Sequence, residues 1–254
     1  METSLPKQLF QATLESTVTR LGLTEEEGAD GGVLLPLFSQ VPVAEGQVGE
    51  VRLFTGAPLF RMVSCSIVVP AMQLDSHMMF AFTPGGSAIP HFTLDSVSAG
   101  EHFAFHLDLI PRLDLGANLA YMREVFEPLT EHFESAAGIE GLSRAHLSPL
   151  QLAIMSPWML AHRATEAAFA SISDTVAAYQ AHWFSVLDSG VSAASLDDVT
   201  PEDLDRRNRR NKTILFDPAV DPVWNRITML LGEEAVNRQR ELLIGGDEPP
   251  VSGA

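Results

Sequence analysis

The chain has 254 residues, of which 46% are hydrophobic and 19% charged, so it can bury a sizeable core and is not a disordered or collagen-like polypeptide. Lys and Arg number 16 against 33 Asp and Glu, and the resulting net charge of −17 disfavours coating a nucleic acid or an anionic membrane. The single cysteine, Cys65, excludes an internal disulfide and a CxxC zinc or redox motif. Met1–Phe10 has no signal-peptide core and no apolar run is long enough to span a membrane, so we expect a soluble cytoplasmic protein.

The predicted elements place helices at both ends of the chain and a sheet in the middle. Apolar residues at helical spacing predict a first helix over Leu5–Leu21, and Glu25–Gly32 follows as an acidic, Gly-rich turn. Alternating apolar residues then predict a series of strands, and helical spacing returns after Gly116. The predicted strands are Val51–Phe54, Phe60–Val69, His77–Phe82, His91–Val97 and His102–Leu109, and the later helices are Leu119–Ala136, Trp158–Leu187, Ser195–Arg210 and Trp224–Leu243.

This order of elements predicts the fold class. Strands that follow one another through short turns form antiparallel sheets, and helices on both sides of them in the sequence can cover both faces. We therefore expect an α/β protein, a three-layer α/β/α sandwich with a central, mainly antiparallel β-sheet. We also expect one domain over residues 1–244 and a disordered tail over residues 245–254.

Polar side chains alternate with apolar ones in three of the predicted strands. In His102–Leu109, for example, phenylalanines and leucines lie on one face, while His106 and Asp108 lie on the other. If the three strands are neighbours, their polar residues share one face of the sheet, and covering helices would enclose this face as a polar chamber. The expected set is His77, His91, Asp95, His106 and Asp108.

Three interpretations of this face remain open. The polar groups could be structural, either solvated or hydrogen-bonded in the interior. A metal-dependent enzyme could use His77, His91, His106 and Asp108 as ligands, although no HxH or HExxH motif occurs. The third interpretation is proton transfer to an organic ligand, because a carboxyl group beside a histidine in an apolar chamber can deliver protons near neutral pH. The motifs GxGxxG, GxxxxGK[ST] and GxSxG are absent, and Cys65 is interpreted as a core residue.

Several short segments occur in the order typical of one family. His77–Asp95 reads HMMFAFTPGGSAIPHFTLD, a strand that begins with His, then a Pro-containing turn and a strand that leads to Asp. His106–Pro111 reads HLDLIP, Ser156–Arg163 reads SPWMLAHR, and Arg209–Thr213 reads RRNKT. Together with Trp224-Asn225-Arg226 and Gly232-Glu233-Glu234, these segments resemble the ferredoxin-dependent bilin reductases, a superfamily that includes the red chlorophyll catabolite reductases. The resemblance extends from Leu53 to Leu243.

This resemblance implies a linear tetrapyrrole bound between the sheet and the C-terminal helices. It implies no bound flavin, nicotinamide or metal, with electrons from an external ferredoxin-like donor and protons from side chains. Asp95 would be the principal proton donor, and His77 its partner at the lactam end of the pigment. Arg163 and Lys212 would hold propionates, with Arg61 on the opposite wall. The remaining residues assigned to substrate binding are His91, His106, Asp108 and Asn211.

The sequence also departs from the family pattern. Where many members carry a catalytic Glu, the strand reads RMVSCS and the nearest matches are Ser64 and Ser66. Where some carry a second Asp near the C-terminus, the chain has Arg210-Asn211. The resemblance therefore predicts a different regiochemistry, or a protein that binds a pigment without reducing it, and His91 or His106 could supply the missing proton.

The leading hypothesis is thus an oxidoreductase of the bilin-reductase type, and the alternatives are a non-catalytic tetrapyrrole-binding protein on the same fold and the metal-dependent enzyme. A basic cluster interrupts the otherwise acidic chain near the proposed pocket, and it could steer an acidic donor or simply favour its own helix dipole. The docking residues expected for a ferredoxin are Arg206, Arg207, Arg209 and Arg210.

Overall fold

A computed structural model describes residues 3–245. The strands are β1 (Thr24–Glu26), β2 (Leu35–Ser39), β3 (Gly46–Thr55), β4 (Arg61–Val69), β5 (Leu74–Phe82), β6 (His91–Ala99), β7 (His102–Ile110), β8 (Leu142–Arg144) and β9 (Leu160–Ala164). The helices are α1 (Leu5–Leu21), α2 (Leu119–Val125), α3 (Thr130–Ala137), α4 (Pro149–Leu152), α5 (Glu166–Ala170), α6 (Ser173–Ser189), α7 (Pro201–Leu215), α8 (Val223–Leu231) and α9 (Glu233–Ile244). The predicted tail lies outside the described residues except for Gly245, and the division into one domain and a tail stays a prediction.

The nine strands form one sheet in which every pairing is antiparallel. Its order is β1-β3-β4-β5-β6-β7-β9-β8, and β2 also pairs with β3. From β3 to β7 each strand pairs with the next one in the sequence. The β6–β7 turn has only two residues, and its first, Gly100, has φ of 63°, a left-handed conformation that favours glycine at this position of a hairpin turn.

Helices cover both faces of the sheet, so the predicted α/β/α sandwich with a mainly antiparallel sheet is confirmed. Phe10 and Leu14 of α1 pack with Trp183 of α6 and the apolar side chains of one sheet face. Leu215 of α7 and Leu243 of α9 belong to a second core cluster on the other face. Most of the polar side chains predicted for the site lie in this second layer, beneath α7, α8 and α9.

Local signals explain where α1 begins and ends and where α7 begins. Helix α1 starts at the cap Ser4, whose hydroxyl accepts a hydrogen bond from Lys7 N, and ends at the left-handed Gly22. Helix α7 starts with a capping box in which Thr200 and Asp203 each accept from the other's backbone N–H. The sequence places this helix over Ser195–Arg210, but the capping box shifts its start to Pro201.

Three further predicted elements differ from the structure. The helix predicted over Trp158–Leu187 contains strand β9, because residues 160–164 pair with β7 on one side and β8 on the other. The helix predicted over Leu119–Ala136 is interrupted by a 3-10 turn at Glu127–Leu129, where Pro128 lacks a backbone donor. Gly232, with φ of 83°, separates α8 from α9 within the last predicted helix.

The predicted turn over Glu25–Gly32 begins inside strand β1, and an isolated bridge between Glu27 and Val33 closes it. Among residues 3–245, none of the helices combines the length and the apolar character needed to cross a membrane.

Candidate functional site

One cross-strand row defines the polar side of the sheet. Asp95 on β6 is the Cα partner of Met78 on β5 and of His106 on β7, and Met78 is in turn the partner of Cys65 on β4. Directly paired residues of an antiparallel sheet project from the same face. We call the side of the sheet that carries Asp95, His106 and Cys65 the Asp95 face, and α7, α8 and α9 cover it.

The expectation that His77 shares this face is wrong. His77 pairs with Ser66 and Ser96, one residue out of step with Asp95, so its side chain lies on the α1 side of the sheet. There the ring stacks on Phe10, with centroids 5.1 Å apart. Its Nε2 lies 2.6 Å from Asp75 Oδ1 and its Nδ1 lies 2.9 Å from Ser66 Oγ. His77 therefore helps to hold α1 against the sheet and is not adjacent to Asp95.

Asp95 and His106 form the centre of the Asp95 face. His106 Nδ1 lies 3.5 Å from Asp95 Oδ2, and their side chains are 17% and 39% exposed respectively. Burial lowers the pKa of His106, but the contact with Asp95 and the charges of Asp95, Asp108 and Asp221 outweigh it, so the pKa is raised above its usual value. His106 therefore carries a proton more readily than an ordinary histidine does.

Two polar atoms of this pair have no hydrogen-bond partner among the described residues. They are Asp95 Oδ1 and His106 Nε2, and both atoms are buried. The fully buried Thr93, two residues from Asp95 on the same face, likewise has a hydroxyl without a partner. Buried polar atoms are almost always satisfied in proteins, so these three atoms leave unused hydrogen-bonding capacity on one face of the sheet.

Asp108 continues the row along β7, but its carboxyl group is already bound within the protein. Asp108 is completely buried, and it accepts hydrogen bonds from the backbone N–H and the hydroxyl of Ser156. Burial raises the pKa of Asp108 to about 6, although His106 and the Ser156 donors oppose this. Both of its oxygens are bound by Ser156. Asp108 therefore influences the site through its negative charge, which helps to raise the pKa of His106.

His91, at the start of β6, lies on the same face in a closed hydrogen-bond network. Thr83 N donates to Nδ1 at 3.0 Å, so the ring proton is on Nε2, which donates to Asn208 Oδ1 at 2.9 Å. Arg112 donates to the Thr83 hydroxyl at 2.7 Å. Burial and then the charge of Arg112 hold the pKa of His91 well below its usual value. A neutral imidazole with both nitrogens bound is a structural link between the sheet and α7, which argues against His91 as a proton donor.

Asp221, in the connection between α7 and α8, is a carboxyl group that the sequence motifs did not identify. Burial raises its pKa, the negative charge of Asp95 raises it further, and His106 lowers it. Its side chain accepts a hydrogen bond from Val223 N at 3.0 Å. The family resemblance puts the second carboxylate position at Arg210-Asn211, whereas it is the tertiary structure that brings the charge of Asp221 close to Asp95 and His106.

Cys65 occupies the position on β4 that faces the same side as Asp95. Ser64 and Ser66, the residues expected to replace a catalytic Glu, project from the opposite face. Cys65 is 4% exposed, and Gln239 of α9 donates to its sulfur at 3.1 Å. Burial raises the pKa of the thiol to about 12, so it remains protonated and behaves as the core residue predicted from the sequence.

Arg61 and Lys212 meet at another part of the Asp95 face. Arg61 is paired with Phe82 at the start of β4, and Lys212 lies on the buried side of α7. Their Nη2 and Nζ atoms lie 2.6 and 3.3 Å from the carbonyl oxygen of Gly245. Both residues are predicted from the sequence to bind substrate, and the structure brings these two cations together.

The other predicted binding residues lie further from the Asp95–His106 pair. Arg163 on β9 is exposed and is the cross-strand partner of Ala104, which places it on the Asp95 face beyond His106. Asn211 is half-buried on α7, and no hydrogen bond of its side chain occurs within the described residues. The buried asparagine of this helix is Asn208, which is not among the residues predicted from the sequence.

The basic cluster on α7 is exposed but partly neutralised. Arg206 pairs with Asp203 and Arg209 pairs with Asp205, each within one helical turn. Arg207 and Arg210 are also exposed. The cluster is therefore accessible, with part of its positive charge balanced by its own helix.

The metal set proposed from the sequence is wrong. His77 lies on the opposite face, and both ring nitrogens of His91 are bound within the protein. Within residues 3–245, no group of three or more His, Cys, Asp or Glu side chains is arranged to hold a metal ion.

A cavity adjoins the β9 side of the Asp95 face. Its volume is about 190 Å³, and its lining includes Ser156, which holds Asp108, and Ala161, the cross-strand partner of His106. A larger cavity of about 500 Å³ lies between α1 and α6 on the other side of the sheet. Ser156 and Ala161 connect the smaller cavity to the polar row, but neither Asp95 nor His106 lines either of the two cavities.

Comparison with known proteins connects this geometry to a fold. No protein-family model matches the sequence, and no curated protein gives a significant match. A solved structure that does match is the crystal structure of phytochromobilin synthase from tomato in complex with biliverdin, with a TM-score of 0.73 and 18% sequence identity. The match covers 94% of this chain and 83% of the tomato chain. The chain therefore has the same fold as tomato phytochromobilin synthase.

Proposed function

We propose that the chain is an oxidoreductase of the bilin-reductase type, which reduces an open-chain tetrapyrrole or a similarly conjugated ligand. The observation that carries this proposal is the Asp95–His106 pair, which is partly accessible, has a raised histidine pKa and contains two buried polar atoms without described partners. The shared fold with a protein solved in complex with biliverdin supports the choice of ligand class.

The proposed reaction needs a supply of protons and a supply of electrons. Saturating one carbon–carbon double bond takes up two electrons and two protons. We assign proton delivery to Asp95 and His106, which replaces the pairing of Asp95 with His77 predicted from the sequence. After Asp95, the negative charges of Asp108 and Asp221 also raise the pKa of His106, which favours its protonated form. The electrons come singly from an external ferredoxin-like protein, and the chain needs no resident redox cofactor.

Cations on the same face would position the ligand. Arg61 and Lys212 are buried and converge on one oxygen atom, so they suit a propionate carboxylate of the pigment. Arg163, exposed at the other side of His106, suits a second carboxylate. The electron donor would dock on the accessible cluster of Arg206, Arg207, Arg209 and Arg210, where positive charge attracts an acidic partner.

The test is a titration with biliverdin followed by absorbance, and then anaerobic addition of a one-electron chemical reductant. Wild-type protein should shift the pigment spectrum on binding and bleach or shift it again on reduction. Asp95→Asn should bind with similar affinity but reduce at least about 10²-fold more slowly, the usual loss when a general acid is removed. Asp75→Asn is the matched control, because Asp75 also contacts a histidine but lies under α1 on the opposite face.

The outcomes separate the candidate functions. Binding without reduction by any of these proteins would support the non-catalytic tetrapyrrole-binding protein. Equal reduction rates for wild type and Asp95→Asn would refute the assignment of Asp95. The docking assignment has its own test: neutralising Arg207 and Arg210 should slow turnover with a ferredoxin but not with the chemical reductant, and equal effects on both would refute it.

A further inference from the structure

The smaller cavity, at the β9 side of the sheet, has a cation in its wall. Arg144 of β8 lines this cavity of about 190 Å³, and no Asp or Glu occurs among its described lining residues, although 33 of the 254 residues are acidic. Arg144 makes no hydrogen bond or ion pair with any of residues 3–245, and its guanidinium lies 5.4 Å from the centre of the Phe133 ring. The cavity therefore offers a positive charge that no described carboxylate neutralises.

His162 of β9 lines the same cavity beside this cation. The two residues are direct cross-strand partners, so their side chains project from the same face of the sheet. His162 is 4% exposed, and its Nδ1 is buried without a hydrogen-bond partner among the described residues. A proton on Nδ1 would lack an acceptor, so the ring carries its proton on Nε2. Burial lowers the pKa of His162 and the charge of Arg144 lowers it further, which makes the ring a neutral hydrogen-bond donor.

The rest of the cavity wall is mainly apolar. Its larger apolar side chains are Phe133, Leu147, Leu152, Met155 and Met159. Ser156 also lines the cavity, but its backbone N–H and hydroxyl donate to Asp108, which leaves Arg144 and His162 as the side-chain donors for an occupant. A dry cavity of about 150 Å³ accepts benzene, so the present volume suits one aromatic ring with a small substituent.

We propose that this cavity is a second ligand site, which binds a small organic carboxylate with an apolar body, such as a one-ring aromatic acid. The carboxylate accepts hydrogen bonds from the Arg144 guanidinium and from His162 Nε2, and the ring packs against the apolar wall. A guanidinium matches the geometry of a carboxylate, and the histidine N–H gains an acceptor. Arg144 is exposed, so the ligand enters from solvent. The site is separate from the Asp95–His106 pair and does not depend on the proposed function.

The test titrates benzoate and benzamide into full-length protein labelled with methyl-¹³C methionine and follows the methyl signals by NMR. Met155 and Met159 line the cavity, whereas Met229 is 70% exposed on α8, and single Met→Leu substitutions assign the three signals. Benzoate should shift the signals of Met155 and Met159 saturably, with a Kd of about 1 mM or lower, and leave that of Met229 in place. Benzamide has the same shape without the charge and should bind about tenfold more weakly.

Variants then test the two donors. Arg144→Gln should weaken benzoate binding about tenfold, and Arg123→Gln, which removes an exposed arginine of α2 outside the cavity lining, should leave it unchanged. His162→Phe keeps a ring to stack on Phe105 but removes the donor, so it should also bind more weakly. Equal affinity of wild type and Arg144→Gln or His162→Phe would overturn the inference. So would equal binding of benzoate and benzamide, or no saturable shift at about 10 mM benzoate, and both of these comparisons use the wild type alone.

Discussion

Replacing Asn208 by leucine removes the only described acceptor for the Nε2 proton of His91. The two residues are 2% and 1% exposed, and Asn208 Oδ1 lies 2.9 Å from His91 Nε2. Leucine is close to asparagine in size but cannot accept a hydrogen bond, and the Nδ1 side of the ring is already occupied by Thr83 N. The buried N–H of His91 would therefore be left without a partner.

The expected cost follows from this loss. A buried polar group without a partner costs about 1–3 kcal/mol, and in a protein of this size that corresponds to a Tm lower by about 2–12 °C. The free energy of unfolding should be measured by urea denaturation followed by circular dichroism, with an unchanged m-value showing that the compactness of the two states is preserved.

Asn211→Leu is the matched control for this experiment. It makes the same exchange on the same helix, so the gain in helix propensity cancels, but Asn211 makes no side-chain hydrogen bond to the described residues. Its effect should stay within about 0.5 kcal/mol. Equal losses in the two variants, or a loss below about 0.5 kcal/mol for Asn208→Leu, would refute the role given to the His91–Asn208 contact.

Three further predictions concern pH. The folded chain holds the pKa of His91 below the usual 6.5, so the unfolded chain takes up a proton that the folded chain does not. Below that pH the wild type should therefore lose stability faster than His91→Gln, by up to about 1.4 kcal/mol per pH unit, and parallel urea midpoints would contradict this. Ser156→Ala should lower the free energy of unfolding more at about pH 8 than at about pH 5. The pKa of Asp108 is raised to about 6, so its buried carboxyl group is ionised only at the higher pH. Equal losses of the urea midpoint at the two pH values would contradict this prediction. The rate of pigment reduction should fall as pH rises through the raised pKa of His106, and a pH–rate profile of His106→Gln that keeps this decline would assign it to another group.

The sequence predicts the faces of single strands better than it predicts their alignment. Alternation correctly puts Asp95 and His106 on one face, because a two-residue turn fixes the register between β6 and β7. The connection from β5 to β6 spans eight residues, 83–90, and such a loop does not define the pairing of the strands that it joins. A shift of one residue there exchanges the faces, which is why Met78 and not His77 stands beside Asp95.

The buried side of α7 could likewise be predicted from helical periodicity. Asn208 lies four residues after Leu204 and four before Lys212, and all three are on the buried side of the helix. This spacing predicts that Asn208 faces the sheet, whereas the motif RRNKT led to the prediction of Asn211 as a binding residue. The influence of Asp221 on His106 was not predictable in this way, because it depends on how the loop between two helices folds over a sheet far away in the sequence.

The β6–β7 hairpin makes the Asp95–His106 pair a self-contained unit. The two residues are brought together by one tight turn and by ladder hydrogen bonds, and none of the helices that cover them is needed to align their backbones. Substitutions in α7, α8 or α9 can therefore reshape the cover of the Asp95 face while Asp95 and His106 stay in register. Under the proposed function, this division would let the same sheet serve different ligands over evolutionary time without a change in the pair beneath them.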